Sequence, residues 1–363
     1  MEGYRVRQWG EDPVWEEIPE EPPGRGEVAI EVEACGVGRT VLNCINGNLN
    51  DGRATLPRVP GHELVGRVTE LGSHSDPHLL GMRVAAYFYL FCGECPPCVR
   101  GQEPRCERLE GWVGVHRDGG YAPRVNLPAR NAILLSEGLD PVGATVIPDA
   151  LATPIHVANR AAIGDEDRVV VVGAGGGVGI HMIQVALARS AAVVGLDVGA
   201  EKLAEIERLD ASAIDSSDFE SVPALRLFSG GSPTVIVDLI GTADSTAWGL
   251  DAMGMGGRLV VLTTFPDRPQ PFEARQLVFR EAAILGSRYA TRSEVAEAAH
   301  MVASGDVTPV VGAVASAGDV LELHRALESG ALIGRGALDW SQEVPADDVP
   351  GDQGRNRGLG ASE

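Results

Sequence analysis

Lysine is nearly missing from this chain of 363 residues: of its 30 basic side chains, Lys202 alone is lysine and the rest are arginine. Positive charge as a whole is scarce. Asp and Glu number 51, so the formal net charge is −21. A surface of that sign repels phosphodiester backbones and anionic headgroups, which argues against nucleic acid or a membrane as partner. Solubility is the simplest reading of it. The N-terminus lacks a signal-peptide core, because Arg5, Arg7, Glu11 and Asp12 interrupt its apolar residues. The longest run without acid or base other than His181, Val169 to Ala188, carries the glycines of Gly173 to Gly179 at its centre. That cluster suits a strand, turn and helix better than a lipid-facing span. Cysteines are six, too few for a stapled chain of this size. Together these absences lead us to expect a reducing, cytoplasmic setting, where cysteine binds metal or sits buried.

What is present is ordinary globular material, 44% hydrophobic and 22% charged, long enough for two domains. Residues 1–150 read as β-rich and punctuated. Glu27 to Glu33 alternates apolar and acidic residues, and Val65 to Leu71 and Arg83 to Phe91 are further strand candidates. Pro13, Pro19, Pro22, Pro23, Pro57 and Pro60 break any helix there. From Arg168 the pattern changes to apolar strand, turn and helix in repetition: Val169–Val172 into Val178–Arg189, Ala192–Leu196 into Glu201–Leu209, Val235–Leu239 into Ser245–Met253, then Arg258–Thr263. Short buried strands alternating with amphipathic helices predict an α/β fold with a parallel sheet and crossover helices. A helix over Ser293–Ser304, a strand over Thr308–Val314 and a helix over Asp319–Ser329 follow, then a polar tail from Ser341 to Glu363 expected to be disordered.

Four cysteines, Cys92, Cys95, Cys98 and Cys106, fall in one short loop with Gly93, Pro96, Pro97 and Gly101 shaping its turns. Four thiolates so placed can close a tetrahedral site with no open position, which is structural zinc. An iron–sulfur cluster would prefer a shorter last gap followed by proline, where Glu107 stands.

Gly173 to Gly179 follows a strand and opens a helix. Ala174, Gly176 and Gly179 hold the fingerprint positions, with Gly177 and Val178 between the last two. Small residues permit a tight turn and close approach of backbone to pyrophosphate, and the helix N-terminus offers free N–H groups to it. Asp197 ends the next strand. A carboxylate there accepts from both ribose hydroxyls and repels a 2′-phosphate, favouring NAD(H) over NADP(H). The plainer reading of Asp197 is an acid at a helix N-terminus.

With a cysteine loop ahead of a dinucleotide fold, the chain resembles the zinc-type alcohol dehydrogenases of the medium-chain dehydrogenase/reductase superfamily. Gly61-His62-Glu63, the four-cysteine loop, Asp118-Gly119-Gly120-Tyr121-Ala122, the glycine turn, Asp197 and Gly334-Arg335 carry the resemblance, which spans about Gly24 to Asp339. It implies a GroES-like catalytic domain over 1–150, a Rossmann domain over 151–289, and a return to the first over 290–340. It implies that Arg39 and Arg335 hold the pyrophosphate, Lys202 reaches the adenosine ribose and Thr153 lies against the nicotinamide. Thr40, His62, Glu63 and Asp149 would be the catalytic set, and the assembly a homodimer or homotetramer.

One departure stands out. The family's first catalytic-zinc ligand, a cysteine, is here Gly38; Val41 and Asn43 replace an aspartate and a relay histidine. A catalytic zinc needs three protein ligands and an open position. With His62 and Asp149 left, and Glu63 as third, a tightly bound second zinc is not expected; Cys35 and Cys44 are offset from the missing ligand. A cysteine at 38 would restore the site unless the glycine there takes positive φ. The expected activity is therefore NAD(H)-dependent interconversion of an alcohol and a carbonyl on a small or medium organic molecule. The alternatives are a zinc-free reductase of an activated C=C or C=N bond, and a catalytically silent NAD-binding protein. Tyr87, Phe88, Tyr89, Trp112, His116 and Trp248 are candidate pocket walls.

Overall fold

The computed structural model describes residues 1–222, 227–263, 269–270 and 272–342. Of the tail expected to be disordered, only Ser341 and Gln342 lie within them. Among the described residues no helix is long and apolar enough to cross a membrane.

Val169 to Val172 are fully buried, as a strand with both faces covered must be. The Arg168–Val172 strand is central in a sheet of six parallel strands. The order is Ser212–Asp215, Ala192–Asp197, Arg168–Val172, Val235–Asp238, Arg258–Val261 and Ala283–Gly286. Strand order therefore reverses beside Arg168–Val172. In such sheets ligands bind at the carboxyl ends of the strands flanking that reversal, the ends that carry the glycine turn and Asp197. The edge strands Ser212–Asp215 and Ala283–Gly286 escape the sequence reading: the first has no apolar run, and the apolar run of the second, Ala282 to Leu285, is not followed by a glycine turn and helix of the repeating kind.

The second sheet is built on Glu27–Val37, which runs four residues past its predicted end. Glu63–Leu71 and Arg124–Pro128 pair with it antiparallel, and so does Arg335–Asp339 from the far end of the chain. Val311–Ala315 extends this sheet by pairing parallel to Arg335–Asp339. The register has a consequence for chemistry. Gly36 lies opposite Glu63 and Val37 opposite Gly336, so Gly38, Glu63 and Arg335 converge although 297 positions separate the first from the last.

Two predicted strands need correction. Arg83 to Phe91 divides into Arg83–Ala86 and Tyr89–Leu90, which pair with different strands. Asn131 drives the break: its side-chain amide donates to the carbonyls of Tyr87 and Tyr89, while its own carbonyl accepts from Tyr87 N–H. The strand expected from Thr308 starts only at Val311, where the pairing shifts register before Ala313.

Candidate active site

The glycine turn is closed by backbone rather than by side chains. Gly173 takes φ +83°, and a Cβ at Gly179 would lie 2.1 Å from the Gly173 carbonyl oxygen. Only glycine fits the second position at that distance. The helix Gly177–Ala188 starts there with free N–H groups facing the carboxyl end of the sheet. Asp197, 8% exposed, accepts from Gly175 N–H at 2.7 Å through one oxygen and from Val198 N–H at 2.7 Å through the other. Lys202 Nζ lies 3.7 Å from it. Gly334 N–H donates to the Gly175 carbonyl at 2.9 Å, so the returning chain rests on the turn.

Next to this turn lies a buried polar cluster. Asp149 sits in a π-helical turn, Ile147–Leu151, in which Leu151 N–H reaches back five residues to Val146. Such turns often mark functional sites because they re-aim one side chain. Asp149 Oδ1 accepts from Thr153 Oγ1 at 2.6 Å, and Oδ2 lies 3.2 Å from His62 Nε2. His62 is fully buried with Phe88 at 4.3 Å between ring centroids, and its Nδ1 has no hydrogen-bond partner among the described residues. Burial holds the His62 pKa below the ordinary imidazole range. Glu63, also fully buried, takes the Arg335 guanidinium: Nε donates to Oε2 at 2.8 Å and Nη2 to Oε1. Nη2 also reaches Asp149 Oδ2 at 3.4 Å. Desolvation pulls the Arg335 pKa down to about 10, which still leaves it charged at neutral pH.

The four loop cysteines converge as their spacing predicts. Their sulfurs lie within 4.8 Å of one another, with three pairs at 3.3 to 3.9 Å. Thiolates about 2.3 Å from one zinc ion would stand about 3.8 Å apart, so the group fits that ion. The N–H groups of Glu94 and Cys95 aim at Cys92 Sγ and draw its pKa down to about 6.

Comparison with known proteins decides the family. Residues 24–137 match the alcohol dehydrogenase GroES-like domain, and residues 177–304 match the zinc-binding dehydrogenase family. An alcohol dehydrogenase of Geobacillus stearothermophilus is 32% identical over 322 residues, 88% of this chain and 93% of its own. The chain belongs to the medium-chain, zinc-type alcohol dehydrogenase-like oxidoreductases. An acryloyl-coenzyme A reductase of Sulfurisphaera tokodaii is 28% identical over 323 residues, 88% of this chain and 94% of its own. A solved NAD-dependent alcohol dehydrogenase superposes with a TM-score of 0.84 at 27% identity, covering 93% of this chain and 99% of that one. This dehydrogenase/reductase therefore has the fold its motifs imply, a GroES-like domain beside a Rossmann-type parallel sheet.

The residues that the resemblance assigns to cofactor and substrate have the following surroundings in this oxidoreductase. Arg335 is 5% exposed, donates to Glu63, and runs its stem along Gly177 of the turn. Arg39 is exposed, with Nη2 on the Leu327 carbonyl at 3.2 Å. Thr153 spends its hydroxyl on Asp149. Thr40 is half-buried in the first turn of the helix Arg39–Ile45. Cys35 and Cys44 are buried thiols outside the His62, Glu63, Asp149 group, and burial pushes Cys44 up to about 12. Gly38 is extended, at φ −135°, so its backbone accepts any residue. Its constraint lies elsewhere, in the Arg335 guanidinium beside it.

Some of the candidate wall aromatics come together near His62. Phe88 touches His62, and Tyr89 lies 6.2 Å from Trp112 between centroids. His116 packs on Trp112 but binds Asp51 through Nε2 at 3.0 Å. Trp248 packs against Phe219 in a separate apolar cluster of the parallel-sheet domain and is not part of this wall. Tyr289 was not foreseen. It stacks on Tyr89 at 4.9 Å, and its hydroxyl accepts from Phe88 N–H at 3.0 Å. Its φ of +53° is costly for a bulky residue, and no periodicity in the sequence signals that.

Proposed function

We propose that this chain is an NAD(H)-dependent oxidoreductase that interconverts an alcohol and a carbonyl on a small or medium organic substrate, without a tightly held zinc ion beside His62. The observation that carries this reading is the hydrogen-bonded run from Thr153 through Asp149 to His62, ending at an unpartnered Nδ1. NAD(H), when bound, supplies the hydride acceptor or donor. The chain's own residues handle the proton. Asp149 accepts from Thr153 through Oδ1 and faces the guanidinium and His62 Nε2 through Oδ2; in the tautomer with the His62 hydrogen on Nε2, Nδ1 is a bare lone pair. That nitrogen would take the hydroxyl proton in oxidation and return it in reduction. Asp197 and the turn support NAD(H), and the four thiols support one structural zinc per chain. The exposed Met255, Val278 and Phe279, close to the edge strand Ala283–Gly286, support a homodimer or homotetramer.

A second reading is reduction of an activated double bond. It rests on the likeness to an acryloyl-coenzyme A reductase and on the buried arginine, since such a reduction needs hydride delivery more than carbonyl polarisation. Steady-state NADH and NAD⁺ turnover over a panel of alcohols, ketones, enones and enoyl thioesters separates the two. We expect alcohol and ketone turnover, with His62→Gln lowering kcat by about a hundredfold or more. Turnover of enones or thioesters alone would favour the second reading. NADH bound but never consumed would defeat both.

A further inference from the structure

His62, Glu63 and Asp149 place three ligand atoms within 4.8 Å of one another, a spacing that a divalent ion could bridge. The group as folded does not fit one. Both carboxylates already face a cation: Arg335 Nη2 donates to Glu63 Oε1 and to Asp149 Oδ2, the oxygen that also faces His62. The guanidinium can sit there because position 38 has no side chain. A Cβ on Gly38 would lie 2.0 Å from Arg335 Cζ and 2.2 to 2.3 Å from its terminal nitrogens. On the other flank, a Cβ on Gly177 would lie 2.7 Å from Arg335 Cδ. Gly38 is extended, so backbone conformation does not require glycine there; the space does.

We propose that Arg335 is the resident cation of this pocket, and that Gly38 admits it and so excludes a divalent ion from His62, Glu63 and Asp149. The proposal rests on the zinc-free reading above and adds its cause. A missing thiolate would weaken metal binding by removing one ligand. A seated guanidinium does more: it occupies three of the four carboxylate oxygens, both of Glu63 in a charge-assisted fork and Oδ2 of Asp149, and repels an incoming dication. Arg335 is then a positioning residue. It fixes Asp149 in its orientation toward His62 and ties the acid cluster to the turn that Gly334 contacts.

Gly38→Ala tests this cleanly, since a methyl group displaces the guanidinium without supplying a ligand. Arg335→Gln removes the charge from the opposite side. Zinc content after equilibrium dialysis, with cooperative thermal unfolding as the check on folding, reads the result without reference to turnover. Wild type should hold the cysteine-loop ion only. Both variants should take up a second equivalent, bound about tenfold or more tightly than wild type binds it. Adding His62→Ala to Gly38→Ala should abolish the gain. If either variant does not fold, the other decides. A single equivalent in wild type and in every folded variant would overturn the role of Arg335 while leaving the zinc-free reading intact. A second equivalent in wild type that His62→Ala removes would overturn both.

Discussion

Asp197 offers the sharpest test of cofactor choice, because its surroundings say what its removal leaves behind. The carboxylate is nearly enclosed, accepts from Gly175 and Val198 N–H, and faces the chain's only lysine at 3.7 Å. In Asp197→Ser, bound NADH loses an ionised acceptor for its ribose hydroxyls. Hydrogen bonds to charged groups contribute about 1.5–3 kcal/mol, so the NADH Kd should rise about 10- to 150-fold. NADPH should move the other way. A carboxylate and a 2′-phosphate about 5 Å apart repel by several kcal/mol at an effective dielectric of about 20, before salt screening. Removing Asp197 lifts that repulsion and also frees Lys202 to face the phosphate.

Wild type should therefore prefer NADH over NADPH by about a hundredfold or more, and Asp197→Ser should bring the ratio near one or invert it. Adding Lys202→Met should cost NADPH about tenfold and NADH less, since only the 2′-phosphate brings a full charge to the ammonium. Quenching of intrinsic fluorescence at fixed ionic strength measures all of these. The N–H groups of Gly175 and Val198 lose their acceptor in the variant, so binding must be read well below its lowered Tm. Equal affinity of wild type for the two nucleotides would refute the reasoning. So would a ratio that Asp197→Ser leaves unchanged.

Much of this frame was legible because it rests on local rules. The run of four valines can only be a strand covered on both faces, and the glycines after it match the one turn that lets a helix start against a strand. Four cysteines within one loop need little folding to meet. What stayed hidden depends on register between distant strands. Glu63 and Arg335 lie 272 positions apart and pair only because two strands flank Glu27–Val37 at the same end. The sequence marks Gly38 as a missing ligand, yet only the fold shows that its absent side chain is the space of another residue. Tyr289 and the π-helical turn at Asp149 share that cause, since each is a local cost offset by contacts from elsewhere in the chain.

Other perturbations follow from the same contacts. Cys98→Ser should remove the loop metal and lower Tm while sparing turnover in the folded fraction, as metal analysis, calorimetry and kinetics can show; loss of turnover in a stable, NADH-binding protein would refute a purely structural ion. Thr153→Val should leave Asp149 Oδ1 short of a donor and lower kcat more than it raises KM, and steady-state kinetics showing the reverse would place Thr153 in binding alone. Acid stability turns on His181, which is buried and neutral: its Nδ1–H donates to the Gly177 carbonyl at 2.6 Å and its Nε2 accepts from Val310 N–H. Burial holds its pKa at about 4 in the fold, against an ordinary value of 6.5, and His324 is held at about 4 in the same way. Between those values the unfolded chain binds more protons than the folded one, so stability is full above about pH 6.5 and falls as pH drops toward 4. Within that window each histidine costs about 1.4 kcal/mol per pH unit, or about 3 kcal/mol in all for His181. Tm measured from pH 7.5 down to 4.5 should therefore decline most steeply below about pH 6, and His181→Gln should remove part of that slope, the rest belonging to His324 and to His62, which burial also keeps neutral. A Tm that stays flat across this range in wild type would mean that water reaches His181 and that the joint between the turn helix and the returning chain is open rather than closed.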